Sequence, residues 1–110
     1  MTSLVDVLQL LQKKPHVYKI ILERRPKKYM FGAHNYGEIP GLINASDGDP
    51  WDVLVPGLGK HLPVGRPYMV KRVLGIFLLE NGNHKLCVSV YDSDFDTTMA
   101  REEIRRYVSR

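Results

Sequence analysis

The sequence predicts a mainly β protein with some α structure: a small OB-like barrel of five strands with an N-terminal and a C-terminal helix. Short segments rich in Val, Ile, Tyr and Leu recur between residues 16 and 91, separated by turn residues. Segments with helical hydrophobic spacing stand at both ends. Five short strands with hairpin connections are typical of such a barrel. A chain of 110 residues is the size of one domain.

Composition excludes several classes of protein. Sixteen basic and 12 acidic residues give a formal net charge of +4, which suits an anionic small molecule or weak nucleic-acid binding without identifying either. Cys87 is the single cysteine, so an internal disulfide is impossible, and its apolar strand pattern predicts a buried thiol. No apolar run approaches the ~20 residues of a membrane span. We therefore expect a cytoplasmic protein without a membrane partner.

The first element is an amphipathic helix over residues 3–14. We interpret residues 1–15, which contain it, as an N-terminal addition to the barrel. Its Leu and Val side chains share one face and predict a core or subunit contact. Ser3 is the expected N-cap, with Asp6 completing a capping box. Pro15 ends the helix.

The barrel is expected over residues 16–91. One long strand should bend at a bulge near Leu74 and Gly75, and the pair Asn81-Gly82 predicts a hairpin turn. The strands are predicted at residues 16–23, 28–31, 53–55, 67–79 and 85–91.

The last element is a helix within residues 97–108. Thr97 or Thr98 is the expected cap, with acidic residues in the first half and basic residues near the end. The acidic loop before it lacks the mid-loop glycine and final glutamate of an EF-hand. A calcium site is therefore not favoured there.

Three carboxylates lie within six residues in the segment Asp47-Gly48-Asp49-Pro50-Trp51-Asp52. Gly48 and Pro50 argue against a regular strand, and a turn would bring Asp47 and Asp52 to one side. Carboxylates that close repel each other unless a cation lies between them, and oxygen ligands suit magnesium. The alternative is a solvated acidic turn, because Asp, Gly and Pro are the usual turn residues.

Four motifs in one order resemble the soluble family I inorganic pyrophosphatases. They are Tyr-Gly-x-Ile-Pro at residues 36–40, Asp-Gly-Asp-Pro-x-Asp-Val-Leu-Val at 47–55, Leu-Pro-x-Gly at 62–65 and Lys-Leu-x-Val-x-Val at 85–90. The resemblance covers roughly residues 17–91 and extends to the final helix. It implies that residues 1–110 form a single pyrophosphatase-like domain, a short and divergent member of that family.

The resemblance implies a metal site and a catalytic carboxylate. Asp47 and Asp52 would hold Mg²⁺, with Mn²⁺ as the alternative ion, and Asp49 would accept the proton of the attacking water. Asn83 would be a neutral third ligand. Glu80 and Asn81 are further candidates on the same hairpin.

The resemblance also implies substrate contacts. Lys28, Tyr36, Lys85 and Tyr107 would bind phosphate oxygens. Glu23 would assist a metal through water, as an outer-shell residue.

The chain departs from the family pattern at several of these positions. Met30 stands where the family has a glutamate, and Val108 where it has a lysine. Asn81 and Asn83 replace two aspartates, and no arginine lies between residues 31 and 36. Neutral ligands bind Mg²⁺ less well, because the ion gives up water reluctantly.

The predicted function is magnesium-dependent hydrolysis of inorganic pyrophosphate or a related phosphoanhydride. The alternative is a catalytically impaired barrel that binds phosphate, nucleotide or single-stranded nucleic acid, or serves as a partner subunit. Nucleic acid is the less favoured ligand, because the three aspartates would repel it. The resemblance also implies a homo-oligomer.

Overall fold

The computed structural model describes residues 1–23, 35–78 and 84–108, the side chains of residues 106–108 excepted. Two helices and six strands lie in these ranges. They are α1 (Leu4–Lys13), β1 (Lys19–Leu22), β2 (Asn35–Ile43), β3 (Pro50–Val55), β4 (Tyr68–Met69), β5 (Arg72–Phe77), β6 (Lys85–Ser89) and α2 (Asp94–Val108), with a 3₁₀ turn at Pro15–Val17. Neither of these helices has both the length and the apolar character that crossing a bilayer requires.

The strands form one curled sheet in the order β4-β1-β2-β3-β6-β5. Its two end strands, β4 and β5, are consecutive in the chain and are joined by Val70 and Lys71. The Val70 amide donates to the Tyr18 carbonyl beside β1, and the Lys71 amide donates to the Ser89 carbonyl on β6. One bent segment thus connects the two edges, so the sheet must curl. The OB-like architecture with a helix at each end is confirmed.

The bent segment accounts for one difference from the predicted strands, and β2 (Asn35–Ile43), which was not predicted as a strand, accounts for another. A single strand was predicted over residues 67–79, but its pairing partner changes at Val70–Lys71, which divides it into β4 and β5. The predicted bulge is confirmed, because the register of β5 against β6 shifts between Val73 and Gly75. The strand predicted at 28–31 and the turn at 81–82 lie outside the described residues.

The main core lies between α1 and the inner face of the sheet. Val7 and Leu11 of α1 are buried against Trp51 and Val53, together with apolar residues of every other strand. Ser3 caps α1 as predicted, accepting a 3.2 Å hydrogen bond from the Asp6 amide. The apolar stripe of the first helix is therefore a core contact.

A second, smaller core lies on the other face of the sheet. Tyr36, Leu54 and Cys87 pack there against Ile104 of α2. The predicted start of this helix at Thr97 is wrong: α2 begins at Asp94, because Ser93 accepts a 3.0 Å hydrogen bond from the Asp96 amide. Thr97 is buried instead, 3.2 Å from the Ser89 hydroxyl.

Two other boundaries differ from the predictions. Residues 16–17 belong to the 3₁₀ turn that Pro15 begins, so β1 starts at Lys19. Pro50 was expected to interrupt a strand, yet it is the first residue of β3, where its missing N–H is tolerated.

Candidate active site

The outer face of the central strands carries the polar residues of the candidate site. Side chains alternate along a strand, so Asp52 and Leu54 of β3 point away from Trp51, Val53 and the main core. Three strands meet here, because β3 pairs with β2 on one side and in parallel with β6 on the other. Residues at matching registers therefore share this outer face.

Asp52 forms an ion pair with the Lys85 ammonium on this face. The β3–β6 register aligns Val53 with Leu86, so the residues before them are neighbours too. The Lys85 side chain is only 7% exposed and that of Asp52 is 22% exposed. Burial of this extent keeps water from screening the pair, and it makes the loss of either partner costly.

Tyr36 lies beside this ion pair. Its side chain is buried, and the Lys85 nitrogen lies 5.9 Å from the centre of its ring, within the range of a cation–π interaction. The sequence placed Tyr36 and Lys85 among the substrate-binding residues, and the structure brings the two together.

Asp47 and Asp49 lie in the turn between β2 and β3. An oxygen of Asp47 accepts a 2.9 Å hydrogen bond from the Asp49 amide, and Gly48 between them adopts a φ of +77°. The turn is closed by Asn44, whose amide donates to the Asp49 carbonyl at 2.8 Å. Both aspartates are exposed. The acidic segment is therefore an Asx-type turn that leads directly into the strand carrying Asp52.

The structure describes the remaining predicted site residues only in part. Glu23 follows β1 with an exposed side chain, and its amide donates to the Tyr36 carbonyl at 2.8 Å. Tyr107 lies in the last turn of α2. Lys28, Glu80, Asn81 and Asn83 lie outside the described residues.

The described carboxylates of this region have the chemistry of a hard-cation site but are not gathered into one. Asp47, Asp49 and Asp52 offer carboxylate oxygens, which magnesium prefers. The Lys85 ammonium lies beside Asp52, so this position accommodates a positive charge. In the described ranges, no three His, Cys, Asp or Glu side chains converge into a group of metal-ligand geometry.

Sequence reasoning missed Glu38, which lies directly opposite Asp52 in the antiparallel pairing of β2 and β3. Its side chain is partly exposed. The sequence does indicate that Glu38 and Tyr36 share one face of a strand, because they are two residues apart.

Two polar residues fix the loop after β3, and neither was predicted. The Asn35 side chain donates to the carbonyls of Val55 and Lys60 and accepts from the Leu62 amide at 2.8 Å. Glu103 of α2 accepts hydrogen bonds from the amides of Leu58 and Gly59, at 3.3 and 2.8 Å. These contacts fasten the loop to the helix that covers the outer face.

Cys87 lies under this face as a buried thiol. Burial raises the pKa of Cys87 to about 12. A thiol that keeps its proton is a poor nucleophile, so Cys87 belongs to the packing and not to the chemistry.

These features define a small OB-like barrel protein that presents carboxylates and a lysine on one face of its sheet. The family model of the inorganic pyrophosphatases matches residues 6–109, and the chain belongs to the inorganic pyrophosphatase family. A search of curated proteins finds no match. A search of solved structures finds none either.

Proposed function

We propose that this protein hydrolyses inorganic pyrophosphate, or a closely related phosphoanhydride, to phosphate with magnesium. Membership of the family supports pyrophosphate hydrolysis in general. The observation that carries the proposal is the Asp52–Lys85 pair beside Tyr36, at the end of the acidic turn. It combines a carboxylate suited to a cation with an ammonium suited to a phosphate oxygen.

Family I pyrophosphatases generally depend on divalent metals. In this chain, Asp52 and Asp47 would hold the ion, and Asn83 would add a neutral oxygen ligand. Such an ion, when bound, stabilises negative charge on phosphate oxygens and lowers the pKa of a coordinated water.

The protein side chains then have separate tasks. Asp49 takes the proton of the water that attacks phosphorus, while the bond to the bridging oxygen breaks and the second phosphate leaves. Lys85 and Tyr36, with Lys28 and Tyr107 by resemblance, bind the phosphate oxygens and offset their charge. Glu23 would orient water at the edge of the site.

Lys85 has two alternative partners in this mechanism. Without ligands its ammonium neutralises Asp52. A cation held by Asp52 would free the Lys85 ammonium for a phosphate oxygen. In the same way, substrate on Lys85 would free Asp52 for the metal. Each ligand would therefore favour the binding of the other.

Phosphate release from pyrophosphate, measured across magnesium and manganese titrations, tests the proposal. We expect activity that requires the metal and that Asp52→Asn removes. Asp6→Asn is the charge-matched control: Asp6 is exposed on α1, the helix that packs on the opposite face of the sheet, and its loss should leave turnover unchanged. Pyrophosphate binding by the parent without phosphate release would instead favour the non-catalytic alternative.

The proposal includes a cytoplasmic location and assembly as a homo-oligomer. The single, buried Cys87 is compatible with a reducing compartment. The assembly rests on family resemblance, and sedimentation analysis of the purified chain measures it directly.

A further inference from the structure

We propose that a surface cavity at the N-terminus of α1 binds a small oxyanion that carries an apolar group. The cavity has a volume of about 340 Å³. Ser3 and Leu4 line it from the start of α1, Asn44 and Ser46 line it from the turn between β2 and β3, and Trp51 contributes an aromatic wall. None of these residues has a role in the proposed hydrolysis, so this inference is independent of that function.

The side chain of Asn44 brings a hydrogen-bond donor to this cavity. Its Oδ1 atom accepts hydrogen bonds from the Ser46 amide and the Ser46 hydroxyl, both at 2.9 Å. A backbone amide can only donate, so this contact fixes Oδ1 toward Ser46 and identifies the other terminal atom as Nδ2. Asn44 is only 3% exposed, and its Nδ2 atom has no acceptor among the residues that the structure describes. Because a buried donor without an acceptor is costly, this position favours a ligand with an acceptor atom.

The start of α1 adds main-chain donors. The first four amides of a helix have no partner within the helix. In α1 the Asp6 amide donates to the Ser3 hydroxyl, and the Val7 amide donates to the Ser3 carbonyl. The amides of Leu4 and Val5 must therefore be satisfied from outside the helix, and Leu4 lines the cavity. The positive end of the helix dipole lies here too, so this site favours negative charge.

The rest of the lining favours an anion with an apolar part. Leu4 and Trp51 present hydrocarbon and aromatic surface. Among the described residues that line the cavity there is no carboxylate, and His84 is the only ionisable side chain. Asp6 and Asp47 are close in sequence to lining residues, but both are exposed, so water and salt screen their charges. The cavity is thus suited to a small organic phosphate or carboxylate.

Trp51 provides a direct signal for binding. It is the single tryptophan of the chain, so the indole fluorescence of the protein comes from this wall of the cavity. Its Nε1 atom donates to the Thr2 hydroxyl at 2.9 Å, which holds the ring in place. The indole N–H therefore already has its acceptor, and the ring offers apolar surface to a ligand.

The experiment titrates the full-length protein in chelator with four probes: inorganic phosphate, butyl phosphate, butyrate and butanol. Trp51 fluorescence gives the dissociation constants, and thermal unfolding is recorded with each probe. We expect butyl phosphate to bind at least about tenfold more tightly than inorganic phosphate, because its alkyl chain buries apolar surface. Butanol should not bind, and the comparison with butyrate shows which oxyanion is preferred. Binding should raise the unfolding midpoint.

Two matched pairs of variants test the donors. Asn44→Asp keeps the shape of the side chain and the acceptor for Ser46 but replaces the Nδ2 donor by an oxygen, so we expect binding to weaken about tenfold or more. Gln9→Glu makes the same amide-to-carboxylate change at an exposed position of α1 outside the cavity, and it should bind like the parent.

Leu4→Pro removes the amide hydrogen at the first position of α1, where proline is tolerated, and the extended backbone of Ser3 suits a following proline. Leu4→Ala keeps that hydrogen and is its control. Weaker binding in Leu4→Pro than in Leu4→Ala supports the main-chain donor, even if Asn44→Asp does not fold. The proposal is overturned if no oxyanion changes the fluorescence or the unfolding midpoint, if butanol binds as well as butyl phosphate, or if a folded Asn44→Asp binds like Gln9→Glu.

Discussion

The ammonium of Lys85 lies against the carboxylate of Asp52, joining β6 to β3 at the centre of the outer face. The position that a metal would take at Asp52 is thus held by a cation of the protein itself. Both side chains are largely buried, so neither charge can turn to bulk water without cost. This relationship connects the stability of the metal-free protein to its affinity for metal and substrate.

Replacing Lys85 by methionine should therefore separate metal binding from substrate binding. With the ammonium gone, Asp52 has no competing cation, and we expect Mg²⁺ to bind the substrate-free protein more tightly. The KM for pyrophosphate should rise by about tenfold, the value of one lost charge-assisted hydrogen bond. Calorimetry and phosphate-release kinetics measure the two effects. A weaker magnesium affinity in Lys85→Met would show that the ion pair does not compete with the metal.

Asp52→Asn should destabilise the metal-free protein. The acidic sequence alone suggests the reverse, because removing one of three neighbouring carboxylates relieves repulsion. In the structure, however, the substitution leaves the 7%-exposed Lys85 ammonium without its carboxylate. We expect a loss of about 1–3 kcal/mol in chelator, below the full cost of breaking a buried pair because Asp52 is partly exposed. Chemical denaturation measures it. Asp47→Asn is the control, because an asparagine oxygen can still accept the Asp49 amide hydrogen bond of the turn.

The sequence predicts the parts of this protein that depend on local pattern. The helix capped by Ser3, the bulge between Val73 and Gly75 and the clustering of Tyr36 with Lys85 all follow from spacing or motif. The exchange of β-sheet partners at Val70–Lys71 does not, because it depends on which distant strands lie on either side. The spacing from Tyr36 places Glu38 on the outer face, but its position opposite Asp52 depends on the register between two strands, which the sequence does not show.

Gly37 tests a close backbone contact between β1 and β2. A Cβ at this position would lie 2.3 Å from the Ile21 carbonyl oxygen, a backbone atom that cannot move aside without disturbing the β1–β2 pairing. We expect Gly37→Ala to cost about 2–4 kcal/mol. Gly41 lies in the same strand with open space around its Cβ position, so Gly41→Ala should change stability by less than about 1 kcal/mol. Equal denaturation midpoints for the two variants would contradict the close pairing of β1 with β2 at Gly37.

Cys87 should be unreactive in the folded protein. Burial raises the pKa of its thiol to about 12, so almost no thiolate forms near neutral pH. The unfolded thiol loses its proton at lower pH than the folded one, so its contribution to stability is complete below its ordinary pKa and is lost as pH rises toward 12. At about pH 8, near the ordinary pKa of a free thiol, we expect an aromatic disulfide reagent to label the protein only after denaturant is added. Rapid labelling of the native protein would show that α2 does not protect this thiol.

The last prediction concerns the two aspartates of the turn, which differ in role under the proposed mechanism. Asp49 handles the proton of the attacking water, and Asp47 mainly holds metal. Asp49→Asn should therefore lower turnover by about 100-fold or more while leaving the magnesium dissociation constant nearly unchanged. Asp47→Asn should weaken metal binding, and high magnesium should restore part of its activity.

Both substitutions are suited to this comparison because the turn tolerates them. The two side chains are exposed, and the hydrogen bonds that close the turn run between backbone atoms, from the Asn44 amide to the Asp49 carbonyl and from the Gly48 amide to the Asn44 carbonyl. Asparagine at position 47 keeps the oxygen that accepts from the Asp49 amide. Metal titrations read by calorimetry and by phosphate release, on the parent and both variants, give the result. If both variants lose metal affinity and turnover in the same proportion, the division of roles is wrong. If the parent releases no phosphate and both variants bind pyrophosphate more tightly, the loss of negative charge has improved a binding site, and the protein is a binder and not an enzyme.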